Sequence, residues 1–576
     1  MLVLACLNSH CSMLDGPLIE RVATEFNQLQ YHVTSSHGHT LLDKVRPRIV
    51  QVTSVLQYSL EQQFVEGIEE GNLATLRQCL RTYATIDKVR DVENLFRQNC
   101  IRPYMEKVLS ENNVKEVGLK HVYDQVLEVI PLHCKKLLQV TTTVEADPSH
   151  DIVRGYDILV NSVWPEVVIC LESRTPFIFA PGDPDDFHHS YSVSMSFLER
   201  FEWHCGTLEA VGRLRAHPSY ATFMSKWSLP VYFQIRFQEI AGTYESSLIS
   251  AFEMSVDDSL FHLAASVQLW CGLCQCWEDH VYLSTLAHRF WKLSLQLLKR
   301  YASWLQDLCN ERISRSKSSS VDGPSTDIVA RSSSPTRRSV SPSGHSPTST
   351  ITLSQCVMLI TDAEMVTQKM PQFFNDKVKP RLLLLNFQDF DLLQECLADA
   401  ISDIASTLQP FSMYITDEIV NQCVANLKQV NDIPRLYRRT NREVPNRASL
   451  YVAMSVRPLK SFLEQHEKHI SGTWRRVWAT AIIQRLSEQY YTVTSDVVTS
   501  VRKMEDSLKR LKKGRKMSTF TQGMSDDDKI RLQISLDVEQ LGREIDDLEV
   551  NKEGLPQYTA LLQLAASAQN NASAAT

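Results

Sequence analysis

The chain has 576 residues, too many for one hydrophobic core at roughly 100 to 200 residues per domain, so several packed units are expected. Its 43% apolar and 22% charged residues exclude a wholly disordered or fibrous chain. The 60 basic and 67 acidic residues give a net charge of −7, which argues against a nucleic-acid-binding protein because such proteins need a basic surface. With 18 glycines, about 3% against roughly 7% on average, long helices are favoured over turn-rich sheets.

Cysteine spacing and hydropathy indicate the compartment. The 14 cysteines are scattered from Cys6 to Cys423, which predicts reduced thiols buried as small apolar side chains and no disulfides. Met1–Leu7 is apolar but lacks the basic segment of a secretory signal. No run of about 18 apolar residues occurs, so any membrane contact is expected to be peripheral.

A serine-rich segment divides the chain. It runs from Ser314 to Thr352, holds 14 serines in 39 positions and predicts a disordered linker. The predicted divisions are a leader at 1–16, a helical bundle region at 17–313, the linker at 314–352, a second bundle region at 353–513 with a long helix at about 474–513, a loop at 514–524, C-terminal helices at 525–565 and a tail at 566–576.

Apolar residues outside the linker recur every three or four positions, which is the spacing of a helix face. Three such stripes are Phe290, Leu293, Leu297, Tyr301, Trp304 and Leu308; Trp478, Ile482, Leu486, Tyr490, Val493, Val497, Val501, Met504, Leu508 and Leu511; and Ile530, Ile534, Val538, Leu541, Ile545 and Leu548. Ser525 is expected to cap the helix that carries the third stripe. No segment has convincing strand alternation. We therefore predict an all-α chain of stacked helical bundles that form an elongated rod, interrupted by the linker.

The sequence holds no recognisable catalytic motif. GxxxxGK[ST], GxGxxG, GxSxG and HExxH do not occur, so we expect no enzymatic activity, no cofactor, no small-molecule substrate and no nucleic-acid partner. An enzyme whose site is formed by residues distant in sequence is the alternative.

Three local patterns resemble metal sites, and each has a plainer explanation. His466 and His469 are three apart without a third ligand, so a solvated helix surface is favoured over a metal. Cys271, Cys274 and Cys276 lack a second ligand pair, which favours core cysteines over zinc or redox chemistry. The aspartates at 183–186 lack the order of a calcium loop and predict a capped turn before a helix.

Two basic clusters are candidate contacts for a partner or an anion. The candidate residues are Arg435, Arg438, Arg439 and Arg442 between two prolines, and Lys509, Arg510, Lys512 and Lys513 at the predicted end of the long helix. Guanidinium groups suit carboxylates and phosphates, but internal ion pairs that tie a loop between bundles are the favoured alternative for the first cluster. For the second, a solvated helix end that complements the helix dipole is favoured over lipid or partner contact.

Several longer stretches carry a family resemblance without carrying any generic chemistry. They are IERVATEFNQLQ at 19–30, LDKVRPR at 42–48, CLRTYATIDK at 79–88, YDILVNSVWP at 156–165, LPVYFQIRF at 229–237, PRLYRRTN at 434–441 and GMSDDDKIRLQ at 523–533. Together they resemble the family of subunit 2 of the conserved oligomeric Golgi complex, from about Gly16 to Leu564.

The resemblance implies a non-enzymatic subunit of a Golgi tether that captures recycling vesicles and so retains glycosylation enzymes in their cisternae. It implies peripheral association with the cytoplasmic face of Golgi membranes, together with a cytosolic pool. The implied partners are subunits one, three and four and, through the whole complex, fusion proteins, Rab GTPases and vesicle coats. A helical scaffold unrelated to Golgi traffic is the alternative.

The sequence departs from the family at its beginning. The acidic leader and long coiled-coil helices that the family carries there are not matched by Met1–Asp15. We therefore expect a truncated isoform, an incomplete gene model or a fragment, with weakened assembly.

Overall fold

The structure, a computed structural model, describes residues 16–35, 40–142, 152–254, 260–318, 351–440, 442–512 and 524–573. These residues form α-helices with short 3-10 and π-helical segments and contain no strand. A single isolated bridge pairs Met254 with Leu263. The prediction of an all-α fold is confirmed. Within the same ranges, no helix is long and apolar enough to cross a membrane.

The chain divides into two compact units. Unit 1 is Met1–Phe237 with Asp279–Leu286, and unit 2 is Gln238–Glu278 with Ala287–Thr576. The helices that begin in unit 1 are α1 Gly16–Ser35, α2 Thr40–Glu70, α3 Leu73–Thr85, α4 Val89–Phe96, α5 Arg102–Val108, α6 Glu111–Val117, α7 Leu119–Val129, α8 Lys135–Thr141, α9 Trp164–Arg174, α10 Pro184–His204, α11 Leu208–Ala216, α12 Pro218–Lys226 and α13 Leu229–Ser247. Those that begin in unit 2 are α14 Ala264–Gln275, α15 Ala287–Ser318, α16 Leu353–Phe373, α17 Lys379–Leu383, α18 Asp391–Val424, α19 Ile433–Tyr437, α20 Leu450–Gln465, α21 Gly472–Lys512, α22 Asp526–Asp547 and α23 Pro556–Ser573.

Aromatic side chains form the core of unit 1. The ring of Trp164 on α9 lies 5.3 Å from that of Phe201 on α10 and 5.5 Å from that of Phe223 on α12. Phe223 in turn meets Trp227 at 6.1 Å. All four are buried. Rings at these separations hold neighbouring helices together through large buried areas.

Three prolines that would be expected to break a helix are preceded by π-helical turns, and the helix continues through them. The turns are Arg97–Ile101 before Pro103, Leu159–Val163 before Pro165 and Phe374–Val378 before Pro380. In each case the residue just before the proline donates its N–H to the carbonyl five residues back, as Arg102 does to Arg97. The wider turn moves aside the carbonyl that the proline ring would otherwise strike, so the helix continues.

The core of unit 2 is organised around α18. This helix packs against α15, α16, α20 and α21. Trp478 on α21 is fully buried and donates its indole N–H to the hydroxyl of Ser412 on α18 at 2.9 Å. The helices α21, α22 and α23 also pack against one another.

The predicted linker does not separate the two units. α15 extends to Ser318, and α16 begins at Leu353 behind Thr352, which forms a capping box with Gln355. Both helices belong to unit 2 and pack against α18. Residues 314–318 form the end of α15, so the prediction of disorder is wrong for them. Residues 319–350 lie outside the described part of the chain, so their predicted disorder stays a prediction.

Two predicted helix starts are confirmed. Asp183 accepts hydrogen bonds from the N–H groups of Asp185 and Asp186 and caps α10. Ser525 accepts one from the N–H of Asp528 at 3.1 Å and caps α22. In both helices, carboxylates in the first turn also complement the positive end of the helix dipole.

Candidate interaction surface

The first cluster of predicted contact residues lies around the connection between α19 and α20. We call residues 438–440 and 442–449 the arginine loop; Asn441 between them lies outside the described residues. Arg439 has a φ of 61°, a left-handed conformation that costs a residue other than glycine about 1–2 kcal/mol. Such a conformation persists only where surrounding contacts hold the main chain.

The main chain of the arginine loop is fastened to side chains of α22. Two N–H groups of the loop donate to carboxylates of α22: that of Arg439 to Asp526 at 3.3 Å and that of Ser449 to Asp537 at 2.6 Å. Two carbonyls of the loop accept from side chains of α22: that of Arg442 from Lys529 at 2.7 Å and that of Arg447 from Gln533 at 3.0 Å. The loop therefore follows α22 in the direction of the helix.

The four fastening residues of α22 share one face. They are spaced by three, four and four positions, which places them in a row along the helix. At 1.5 Å per residue, the row from Asp526 to Asp537 is about 16 Å long. Because these four contacts use loop main-chain groups, none of them engages an arginine side chain.

The side chains of the predicted arginines fall into two groups. Arg438 is three-quarters buried and pairs with Asp527 at 3.2 Å, so for this residue the internal ion pair is found. Arg435 is 85% exposed, and among the described residues its ion pair is a 3.4 Å contact with Asp432 in its own turn. Arg439 and Arg442 are exposed, and neither has an ion pair within the described residues.

A buried carboxylate sits at the end of the arginine loop. Asp537 is fully buried and accepts hydrogen bonds from Tyr451 at 2.7 Å and from Gln533 at 2.8 Å, besides that from Ser449. Burial raises the pKa of Asp537, while these hydrogen bonds oppose the rise. Tyr451 also meets the hydroxyl of Tyr490 on α21 at 2.8 Å. This polar cluster fixes α20, α21 and α22 around the root of the loop.

Sequence reasoning missed Arg447 and the fastening residues of α22. Arg447 is exposed and has no ion pair within the described residues. The sequence did contain a sign that Asp537 is buried. Asp537 lies seven residues after Ile530 and next to Val538, on the face of the helix where apolar side chains are expected. A polar side chain at such a position is buried and needs partners.

The second predicted cluster lies at the end of α21. Arg510 is exposed, and Lys509 and Lys512 belong to the last turn of the helix. Lys513 lies outside the described residues. Both interpretations of this cluster, a solvated helix end that complements the helix dipole and a contact with a partner or lipid, stay predictions.

The three clustered cysteines differ in environment. Cys276 is buried, and burial raises the pKa of its thiol to about 12, which disfavours the reactive thiolate. Cys274 is half-buried and Cys271 is exposed, so the core interpretation is wrong for Cys271. No group of three or more metal-ligating side chains occurs in the residues that the structure describes.

The solvated-surface interpretation of the histidine pair is wrong for His466. Its ring is buried in a turn after α20, and it contacts the carbonyl of Phe462 at 2.9 Å and the hydroxyl of Ser354 at 2.8 Å. The ring of His469 lies 4.7 Å from that of His262, whose Nδ1 lies 2.9 Å from Asp362. Except for the contact with Phe462, these contacts join residues at least 100 positions apart, which local spacing does not reveal.

Comparison with known proteins identifies related sequences. A family model described as "COG complex component, COG2, C-terminal" matches residues 225–538. The chain is similar to conserved oligomeric Golgi complex subunit 2 of Homo sapiens, with 40% identity over 99% of this chain and 79% of the human protein. The proteins of the same name from Drosophila melanogaster and Arabidopsis thaliana are 31% and 27% identical, over 92% and 96% of this chain and 72% of each relative. The family match includes the arginine loop and its four fastening residues on α22.

Proposed function

The chain belongs to the family of conserved oligomeric Golgi complex subunit 2, and from that premise we propose that it assembles with subunits one, three and four of the complex. It is a subunit of a Golgi tethering complex that acts in vesicle tethering and intra-Golgi transport. The observation that carries the proposal is the match to the human subunit over almost the whole chain.

The helical architecture supports a mechanical role. Apolar burial stabilises each helix against its neighbours by about 25 cal/mol per Å². Helices packed in this way keep their exposed side chains at fixed separations, which lets one subunit recognise another. The chain then contributes binding surfaces, while the assembled complex contacts fusion proteins, Rab GTPases and vesicle coats.

The chain performs no catalysis in this proposal. Burial raises the pKa of Cys79 and of Cys276 to about 12, which keeps these two thiols protonated at neutral pH and disfavours them as nucleophiles. Assays of the purified chain with metal ions and nucleotides are expected to give no turnover. Robust turnover that rises in proportion to the chain's concentration would contradict the proposal.

Assembly is tested by co-expression. We expect the chain to co-elute with subunits one, three and four in one size-exclusion peak, and to co-localise with a Golgi marker in cells. Parallel expressions that omit one subunit at a time identify direct contacts. Elution of the chain by itself in the presence of the other three, or diffuse staining, would contradict the proposed assembly.

Membrane association is tested by extraction. In this proposal the chain lies on the cytoplasmic face of Golgi membranes through its complex, and a further pool is cytosolic. Alkaline carbonate is expected to release the membrane-bound pool into the supernatant. Retention of the chain in the membrane pellet would contradict peripheral binding.

A further inference from the structure

We propose that the arginine loop docks a carboxylate-rich segment of another protein, whose apolar side chains contact apolar residues exposed beside the loop. This goes beyond the proposed function, because it names a contact surface and the chemistry of what binds there. The loop, its neighbours in α19 and α20, and α22 all lie in unit 2.

Positive charge at the loop is available to a partner. Arg439, Arg442 and Arg447 are exposed and form no ion pair with any described residue. Arg435 adds a guanidinium that is 85% exposed. Arginine forks bind carboxylates with two parallel hydrogen bonds, and a partner that supplies carboxylates neutralises charges that the described residues leave unpaired.

The loop is organised before anything binds. Four main-chain hydrogen bonds to α22 fasten it over about 16 Å, with the fully buried Asp537 at one end. Arg439 keeps a left-handed φ of 61° in this arrangement. A fixed main chain reduces the entropy lost on association, so more of the interaction energy appears as affinity. Strained residues other than glycine concentrate at ligand contacts.

Apolar side chains flank the arginines. The exposed ones are Leu436 at 38%, Val444 at 49%, Leu450 at 83% and Met454 at 46%. Arginine together with exposed large apolar side chains is typical of protein interfaces, where a few such residues supply most of the binding energy. The occupant is therefore a segment that alternates acidic and apolar residues.

A protein segment fits this surface better than an anionic membrane. The exposed Asp432 and Glu443 lie among the arginines, and Asp526 borders them. A flat anionic surface would meet these carboxylates together with the arginines, whereas a narrow segment places its own carboxylates only at the guanidinium groups. The net charge of −7 adds repulsion from an anionic bilayer.

The test uses a fluorescent peptide of about 15 residues that alternates glutamate and leucine along one helix face, long enough to follow the loop at 1.5 Å per residue. Fluorescence anisotropy measures its binding to the full chain. The triple variant Arg439→Glu, Arg442→Glu, Arg447→Glu is expected to weaken binding at least tenfold. A matched control reverses three other exposed arginines, Arg48→Glu, Arg154→Glu and Arg476→Glu, and is expected to change binding less than twofold.

Further measurements decide between the possible outcomes. Thermal unfolding confirms that both triple variants are folded, and hydrogen exchange is expected to slow at 438–449 when the peptide binds. A peptide with glutamine in place of glutamate is expected to bind at least tenfold more weakly. Absence of peptide binding, equal loss in both triple variants, or arginine-dependent binding of phosphatidylserine vesicles without peptide binding would each overturn the proposal.

Discussion

At the scale of single residues, one buried carboxylate in each unit is paired with residues far along the chain. In unit 1, Glu166 is fully buried and pairs with Arg97 at 2.7 Å and Arg102 at 3.0 Å. In unit 2, Asp362 accepts the N–H groups of His262 and Leu263. An unpaired buried charge costs several kcal/mol, so these contacts select one packing of the helices.

Replacement of Asp537 by asparagine is expected to destabilise unit 2. The amide has about the same size but loses one acceptor oxygen, so a buried donor from Ser449, Tyr451 or Gln533 is left without a partner. The expected loss is about 1–3 kcal/mol in the free energy of unfolding. Urea unfolding followed by circular dichroism measures it, and Asp506→Asn on the exposed face of α21 is the control. Equal midpoints for the two variants would show that the cluster contributes little.

The pair of His262 and Asp362 predicts a pH dependence of stability. The hydrogen bond to Asp362 raises the pKa of His262 above its ordinary value of 6.5, against the effect of burial. The protonated form is therefore favoured in the folded state, and its stabilising contribution is full below pH 6.5 and lost as the pH rises through the folded pKa.

The stability difference between the wild type and His262→Gln is accordingly expected to shrink as the pH rises above 6.5. Thermal unfolding at a series of pH values measures it. The exposed His189→Gln serves as the control. A difference that grows with pH would show that the pair stabilises the neutral histidine instead.

At the scale of elements, most of the described part of the predicted stripe on helix α21 is buried, whereas Met504 is exposed. Trp478, Ile482 and Leu486 are buried, and burial continues to Val501. Met504 has the correct spacing but is 50% exposed. Helical spacing predicts which residues share a face, while burial also requires a neighbouring helix that extends as far.

Two truncations on α21 are expected to differ in cost. Leu486→Ala removes a buried side chain and leaves a cavity, with an expected loss of about 2–5 kcal/mol in the free energy of unfolding. Met504→Ala, on the same helix and the same predicted stripe, is expected to change it by less than about 0.5 kcal/mol. Urea midpoints of the two variants compare them directly. A comparable loss for both would mean that Met504 is covered in solution.

At the scale of the whole molecule, the linker lies in sequence between helices of one unit. α15 comes before it and α16 after it, and both pack against α18 in unit 2. Disorder is predicted for the serine-rich segment at 314–352, but unit 2 is not expected to depend on that segment to hold its helices together. One experiment can test both points.

Limited proteolysis is expected to cut within 319–350 and to leave two fragments that stay together. The reason is that α15 and α18 retain their buried contact after the chain between them is broken. Denaturing gels detect the cut, and size-exclusion chromatography without denaturant detects the association. Separation of the fragments in native buffer, or first cuts elsewhere, would contradict this.

Local patterns in the sequence determined the all-α fold, the capped starts of α10 and α22 and the apolar stripes of the long helices, because helix formation and capping depend on residues within one or two turns. The family resemblance was also carried by the sequence alone. Helices, caps and stripes are set by neighbouring residues, and the resemblance is set by whole stretches of sequence. Neither requires knowledge of which helices contact one another.

Only the tertiary structure decided which charged residues are left free. Arg438 and Arg439 are adjacent, and nothing in their spacing distinguishes the one that pairs with Asp527 from the one whose side chain stays exposed. The same holds for the burial of His466 and the exposure of Cys271. Each outcome depends on what another helix, tens of residues away, brings to that position, because electrostatic and packing energies act through space and not along the chain.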